Sequence, residues 1–528
     1  MPVTDNLGCV PCVERPDHPA ILAPDTGGAW RVITNTALDT EADAVARGLR
    51  ERGLQPGERI AIVATNSPEY MATVLGAMRA GVVPVPLNFR FPANTLDALV
   101  ADCGAGLVFC DGERDTLLRT PQPRVRYESH GEHSYPAFLR PGPFTAVSPA
   151  SEQAALMLYT SGSSGLPKGV LLSHGGQLWT VRTRLGDNPD VARHRYLVAA
   201  PLYHMNALAL LFLILAGGAT CVLLPKFDAA EYIDAIARWR CTWLTAVPPM
   251  MAMLLQQDGL DSEDLSSVQV IRMGSAPVSP RLLQDLRRLW PDAWIINAYG
   301  TTESGPVAFL PPGPGEESPD GSLGRAHPAV ALRLVDAESQ ERAEGELQVR
   351  SPALMLGYQH AGGAIERPFT ADGYYPTGDV LRRDASGWYF FVGRTDDMFV
   401  SGGENIFPSE VERVLEQHPG VHQACVIPVE DAIKGHKPVA YIVRTAGNSV
   451  SEEEIREFAL RHAPAFQHPR RVWFIDALPL AGSNKVDRAQ LRVDAKQRIV
   501  EPLLGNRITP AGDDAVRDPS PGSAESCG

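Results

Sequence analysis

Hydroxyl and glycine residues alternate through Tyr159-Thr160-Ser161-Gly162-Ser163-Ser164-Gly165-Leu166-Pro167-Lys168-Gly169-Val170, and a lysine stands near the end of the run. Glycine lets the backbone bring its N–H groups close to a ligand, and serine and threonine add O–H donors, so the segment suits a polyanion such as a phosphate chain. The apolar residues 154–158 ahead of it read as a buried strand that delivers the loop. A flexible Gly/Ser linker rarely lies between two apolar strands or closes on Pro-Lys-Gly. A Walker-type loop needs Gly-Lys followed by Ser or Thr; here Pro167 precedes Lys168 and Gly169 follows it, which excludes that chemistry.

Four further segments carry chemistry. Asn297-Ala298-Tyr299-Gly300-Thr301-Thr302-Glu303-Ser304 puts an aromatic ring, hydroxyls and a carboxylate in one turn after a strand. Residues 375–380 reach Asp379 after a tight turn, and residues 393–412 string Arg394, Asp396 and Ser401-Gly402-Gly403 along a domain boundary. Lys485 sits in the small-residue loop Gly482-Ser483-Asn484-Lys485. Singly, each has an ordinary reading: a capped helix start, a turn acid, a solvated lysine. Five such coincidences in one chain are not expected by chance.

The elements that position these residues follow two periods. Between about 40 and 300 the chain alternates continuous apolar strands (59–65, 82–86, 219–224, 241–247, 268–273, 294–297) with helices (68–80, 228–240, and one ending near 255). That pattern predicts an α/β fold with a parallel sheet covered on both faces. After a Pro/Gly-rich loop at 311–321, short strands at 331–335, 346–351 and 388–392 predict a small β-rich subdomain. From 408 the chain alternates again, predicting a separate α+β domain of roughly a hundred residues. The expected division is a large N-terminal domain over 1–393 with its β-rich part at 322–393, a small mobile C-terminal domain over 394–500, and a disordered tail over 501–528.

Composition bounds the function. Of 528 residues, 44% are hydrophobic and 21% charged, an ordinary globular balance, and the length calls for more than one domain. A net charge of −14 argues against nucleic acid as a partner. The apolar run 207–219 is too short for a membrane span and reads as a buried helix. Residues 1–15 lack a signal-peptide pattern, so a cytoplasmic protein with free thiols is expected. The lone Cys9-Val10-Pro11-Cys12 has no second pair, and zinc is not expected there.

In this order and at these separations, the five segments resemble the core motifs of the adenylate-forming enzyme superfamily over residues 15–500, and residues 393–412 are most similar to its acyl- and aryl-CoA ligase branch. The resemblance implies ATP-dependent conversion of a carboxylic acid to an acyl-adenylate with loss of pyrophosphate, followed by capture of the acyl group by a thiol. ATP, Mg2+ and coenzyme A are the implied cofactor and co-substrates. By the family's pattern, Thr160, Ser161, Gly162, Ser163, Ser164, Gly165 and Lys168 would hold the β- and γ-phosphates. Thr302 would reach the α-phosphate and Glu303 would bind Mg2+. Gly274, Ser275, Ala276, Asn297, Ala298, Tyr299, Gly300 and Thr301 would surround the nucleotide, with Tyr299 stacked on adenine and Asn297 at its polar edge. Asp379 would accept the ribose hydroxyls beside Arg394. Lys485 would bridge the acyl carboxylate and the α-phosphate, although Asn484 replaces the family's usual glycine. Asp396 would be the hinge, and Ser401, Gly402 and Gly403 would line the thiol tunnel.

For the acid, the resemblance implies a pocket of Trp179, Met205, Asn206, Val247, Gly305, Val307 and Ser275, with His204 as a catalytic gate. These residues are mostly apolar, with no Asp or Lys to receive an amino acid's amine, so an aryl or short-to-medium aliphatic acid is expected. Free CoA is the expected acceptor, with a carrier-protein phosphopantetheine or an amine as the alternative. A non-catalytic nucleotide-binding module would need a damaged constellation, whereas Thr302, Glu303, Asp379 and Lys485 are all present. The expected state is monomer or homodimer, without a membrane span.

Overall fold

A computed structural model describes residues 4–11, 14–25, 27–128, 130–160, 167–276, 278–313, 315–360, 362–431, 433–481 and 486–505. Cys12, the loop residues Ser161, Gly162, Ser163, Ser164 and Gly165, the lysine Lys485 and the tail from 506 lie outside the described residues. Five sheets form among the described residues.

The largest sheet has seven strands in the order Trp294–Ala298, Val270–Gly274, Trp243–Ala246, Arg195–Val198, Thr220–Leu223, Pro19–Pro24 and Trp30–Thr34. All its pairings are parallel except the last. Its side chains alternate between two buried clusters: Tyr196, Trp243 and Val270 enter one, and Leu197, Leu244 and Ile271 the other. Helices cover both faces, which is why these strands are apolar throughout. Helix Met205–Ala216 is buried along its length except at Asn206, as its sequence MNALALLFLILA requires. Among the described residues, no helix is long and apolar enough to cross a membrane.

A second, all-parallel sheet orders Val83–Pro86, Arg59–Val63, Ala105–Cys110 and Arg124–Arg126. The strand Ala154–Thr160 pairs antiparallel with Lys168–Ser173, and Gly357–Gln359 adds to the latter's free edge. A six-stranded antiparallel sheet takes in residues from Phe309 to Arg394, with Tyr375–Arg383 and Trp388–Arg394 side by side.

A five-stranded sheet contains only residues after 398, built on the long antiparallel pair Val421–Asp431 and Gly435–Arg444. Helices Pro408–Leu415 and Glu452–His462 accompany it, the second closed by a capping box of Ser451 and Glu454. The last helix, Arg488–Gly505, includes residues 501–505, which were expected to belong to the disordered tail.

Candidate active site

Parallel strands deliver their C-terminal ends, and the loops after them, to one edge of the sheet. The strand Val270–Gly274 leads directly into Ser275, a non-glycine residue at φ 69° and exposed. A serine held in the left-handed region stores roughly 1 kcal/mol or more of strain, a feature that concentrates at functional sites. The neighbouring strand Trp294–Ala298 leads into Tyr299-Gly300-Thr301-Thr302-Glu303-Ser304.

That segment forms a turn closed on itself, not a helix start. The Gly305 N–H donates to Thr301 O at 3.0 Å, the Ser304 N–H donates to Thr301 Oγ1 at 3.0 Å, and the Thr301 and Ser304 hydroxyls lie 2.9 Å apart. A side chain at Gly300 would put its Cβ 2.8 Å from both Gly305 O and Pro306 Cα, so only glycine fits where the turn folds back. The hydroxyls of Thr301 and Ser304 thus serve the turn.

Glu303 is held from two other elements. Its Oε1 accepts from the Tyr358 hydroxyl at 3.0 Å and from Thr160 Oγ1 at 3.4 Å. The Tyr358 hydroxyl is also 3.0 Å from that of Tyr375, and Lys168 Nζ lies 4.8 Å from the centre of the Tyr358 ring. Burial, followed by the Glu303 charge, raises the Tyr358 pKa above its ordinary value, so the phenol stays protonated as a donor. Thr160 and Lys168, which flank residues 161–167, therefore both reach the Glu303 cluster. A buried-edge carboxylate oxygen of this kind is a hard donor that fits Mg2+.

Asp379 lies inside the strand Tyr375–Arg383, not after a tight turn; the expected turn is a glycine at φ 72°, Gly378, followed by a register shift between Val380 and Leu381. Its carboxylate is 5% exposed by residue and is gripped on both oxygens. Tyr299 donates to Oδ2 at 2.5 Å and Arg394 Nη1 donates to Oδ1 at 2.8 Å. Burial first, and Asp379 second, raise the Tyr299 pKa well above its usual value. The rest of the Arg394 guanidinium forks onto Asp396, Nε to Oδ1 at 2.8 Å and Nη2 to Oδ2 at 3.2 Å. Burial opposes its charge, but Asp396 and Asp379 outweigh burial and raise its pKa. Asn297 Nδ2 donates to the carbonyls of Gly321 and Ser322 at 3.1 and 3.3 Å, which fixes its amide.

The remaining expected residues divide into groups. Trp179, Tyr299 and Val307 share one hydrophobic cluster, and Gly305 follows in the closed turn. His204 caps helix Met205–Ala216 with its carbonyl, and its ring meets Tyr203 edge-on at 4.6 Å. Met205 is buried in the largest cluster, whereas Val247 packs in a different one with Met250 and Met251. Gly274 and Ala298 are register partners at the ends of adjacent strands, with Ala276 just beyond. Ser401-Gly402-Gly403 forms a tight hairpin turn between Phe399–Ser401 and Glu404–Ile406, with φ of 63° and 91° at the two glycines. Sequence reasoning missed Tyr358, Tyr375 and Arg272. Arg272 lies within the strand Val270–Gly274, and its Nη1 donates to Asn206 Oδ1 at 2.8 Å.

The family model for AMP-binding enzymes matches residues 11–359, and that for the AMP-binding enzyme C-terminal domain matches 410–485. A feruloyl-CoA synthase of Amycolatopsis sp is 31% identical over 500 residues, covering 92% of this chain and 98% of that protein. A sulfoacetate–CoA ligase of Cupriavidus necator is 31% identical over 510 residues, covering 92% and 96%. The crystal structure of the anthranilate CoA ligase AuaEII in complex with anthranoyl-AMP aligns with a TM-score of 0.85 at 25% identity, covering 95% of this chain and 99% of that one. The chain belongs to the AMP-binding enzyme family, in its acyl- and aryl-CoA ligase branch.

Proposed function

We propose that this enzyme acts on an aryl or short-to-medium aliphatic acid, within the activity its family sets. That activity is ATP-dependent activation of a carboxylic acid to an acyl-adenylate with release of pyrophosphate, then transfer to the thiol of coenzyme A to give an acyl-CoA and AMP. The observation that carries the reading is the convergence on one turn, residues 299–305, of two gripped carboxylates. Asp379 is bound by Tyr299 and Arg394, and Glu303 by Thr160 and Tyr358.

In this reading Asp379, aimed by its two donors, accepts the ribose hydroxyls. Glu303 is the Mg2+ ligand; the ion, when bound, offsets the charge of the phosphates. Thr160, Lys168 and the loop between them hold the phosphate chain, and Thr302 reaches the α-phosphate. Two anions must meet there, so a cation is needed where charge develops, and Lys485 supplies it. The hinge at Asp396 separates a catalytic part ending near 393 from the residues that carry Lys485 and the Ser401–Gly402–Gly403 turn. The relatives named above are ligases of ferulate, anthranilate and sulfoacetate, which supports an aryl or short acid.

The test is pyrophosphate release across a panel of aryl and aliphatic acids, with and without CoA, followed by mass analysis of the products. A CoA thioester with AMP is expected. Turnover that ignores CoA and yields no thioester would overturn the acceptor and redirect the search to a carrier protein or an amine.

A further inference from the structure

The face of the large sheet that packs against helices His174–Asp187 and Met205–Ala216 is mostly apolar, and Arg272 is the charged residue of the strand Val270–Gly274 on it. Arg272 is 8% exposed, and its Nη1 donates to Asn206 Oδ1 at 2.8 Å, a neutral acceptor. The other charge acting on it is a second buried guanidinium, Arg184. Burial first and Arg184 second lower the Arg272 pKa to about 9, and no carboxylate among the described residues offsets them. A buried guanidinium without a counter-charge is costly, because neither water nor an anion replaces its solvation.

The atoms around it are short of acceptors too. Among the described residues, Asn206 Nδ2, the indole N–H groups of Trp243 and Trp294, and Thr245 Oγ1 are buried without a hydrogen-bond partner. They belong to one neighbourhood. Thr245 is the register partner of Arg272, Val270 pairs with both Trp243 and Trp294, and the two indoles lie 6.4 Å apart. Native interiors seldom leave several donors unpaired at one place, and a shared deficit of acceptors points to a ligand that brings oxygen and negative charge.

We propose that Arg272 and Asn206 take a second anionic group on the acid, so that the substrates carry a carboxylate or sulfonate remote from the carboxylate that is activated. The inference rests on the reading that the acid enters at the ends of these parallel strands. Arg272 precedes Gly274 by two residues on the same strand, about 6–7 Å deeper into the sheet. The reacting carboxylate stays at the strand ends, beside the turn at 299–305, and the second anion points inward. Arg272 is thus a specificity residue, and it adds a charged group to the mostly apolar pocket that was expected.

Matched acid pairs test this on the full-length chain by pyrophosphate release: 4-carboxybenzoate against 4-methylbenzoate, glutarate against pentanoate, and 3-sulfopropanoate against butanoate. The first two pairs read a carboxylate and the third a sulfonate. The charged member of at least one pair is expected to have the higher kcat/KM by about tenfold or more, the worth of a charge-assisted hydrogen bond. Arg272→Met is expected to erase that ratio. Asn206→Asp supplies a second variant that tests the inference without removing the guanidinium: it places a carboxylate against Arg272, and is expected to erase the ratio while the melting temperature holds or rises. Release with the neutral members only, or a ratio unchanged in a folded variant, overturns the inference and leaves the adenylation reading standing. Release with no acid of any pair overturns both.

Discussion

Arg394 and Asp379 form an ion pair at 2.8 Å, and the same guanidinium forks onto Asp396. The carboxylate proposed to hold the ribose and the residue proposed as the hinge therefore share one cation. Lysine cannot replace a planar fork that serves two carboxylates at once. Arg394→Lys is expected to lower kcat/KM for ATP about tenfold and Arg394→Ala about a hundredfold, in line with charge-assisted hydrogen bonds. Steady-state pyrophosphate release at varied ATP checks this; a change in acid KM alone would contradict it.

Tyr358 connects Lys168 to the proposed metal ligand, donating to Glu303 at 3.0 Å while its ring lies 4.8 Å from Lys168 Nζ. Tyr358→Phe removes the first contact and keeps the second. The Mg2+ concentration for half-maximal activity is expected to rise about fivefold to tenfold in Tyr358→Phe. Tyr358→Ala should add a loss in ATP affinity through Lys168. Titrating Mg2+ at saturating ATP separates the two; identical behaviour of both variants would show that the hydroxyl alone matters.

Arg488, three residues after Lys485 in the sequence, is anchored by Glu412. Glu412 Oε2 accepts from Arg488 Nη2 at 2.8 Å and Oε1 accepts from the Val426 N–H at 2.7 Å, with the Glu412 side chain 12% exposed. Glu412→Gln removes the carboxylate paired with Arg488, whose side chain is 26% exposed, and is expected to cost about 1–2 kcal/mol. Denaturant unfolding measures that loss. Pyrophosphate release should fall while nucleotide binding, read by equilibrium dialysis with ATP, changes less than threefold, because Asp379 and Glu303 lie on other elements.

His174 is 1% exposed, and its Nδ1 accepts the Leu7 N–H at 3.0 Å. Burial lowers its pKa from 6.5 to about 4, only partly countered by Asp5. The folded state thus holds the neutral ring, and its stabilisation is complete above the unfolded value of 6.5. It is lost as pH falls from 6.5 to about 4, a gap worth about 3 kcal/mol. Urea unfolding at pH 7 and pH 5 should show the decline, and His174→Gln should flatten this part of the pH dependence. An unchanged slope in a folded His174→Gln protein would contradict the assignment.

Much of this arrangement is legible in the sequence because it is periodic. Residues 60–63 and 221–223 are continuous apolar runs and 270–274 is apolar but for Arg272, and each lies in a parallel strand. Asp379 is less legible: Gly378 at φ 72° has the conformation of a turn glycine, and only the pairing with Trp388–Arg394 defines a strand carrying a register shift. Tyr358 and Arg272 carry no local signal at all. Tyr358 reaches Glu303 because Gly357–Gln359 pairs with Lys168–Ser173, nearly two hundred residues earlier, a register that local pattern does not encode. Arg272 reads as one charge in an otherwise apolar strand until Asn206 and Arg184 are brought to it.

In adenylate formation the acid's own oxygen attacks the α-phosphate and pyrophosphate leaves. An acid labelled with 18O in its carboxylate, incubated with ATP, Mg2+, CoA and the enzyme, tests it directly by mass analysis of the nucleotide. Transfer of one labelled oxygen to AMP, with unlabelled pyrophosphate, is predicted, and Lys485→Ala should suppress it. Label recovered in inorganic phosphate alongside ADP would contradict the account.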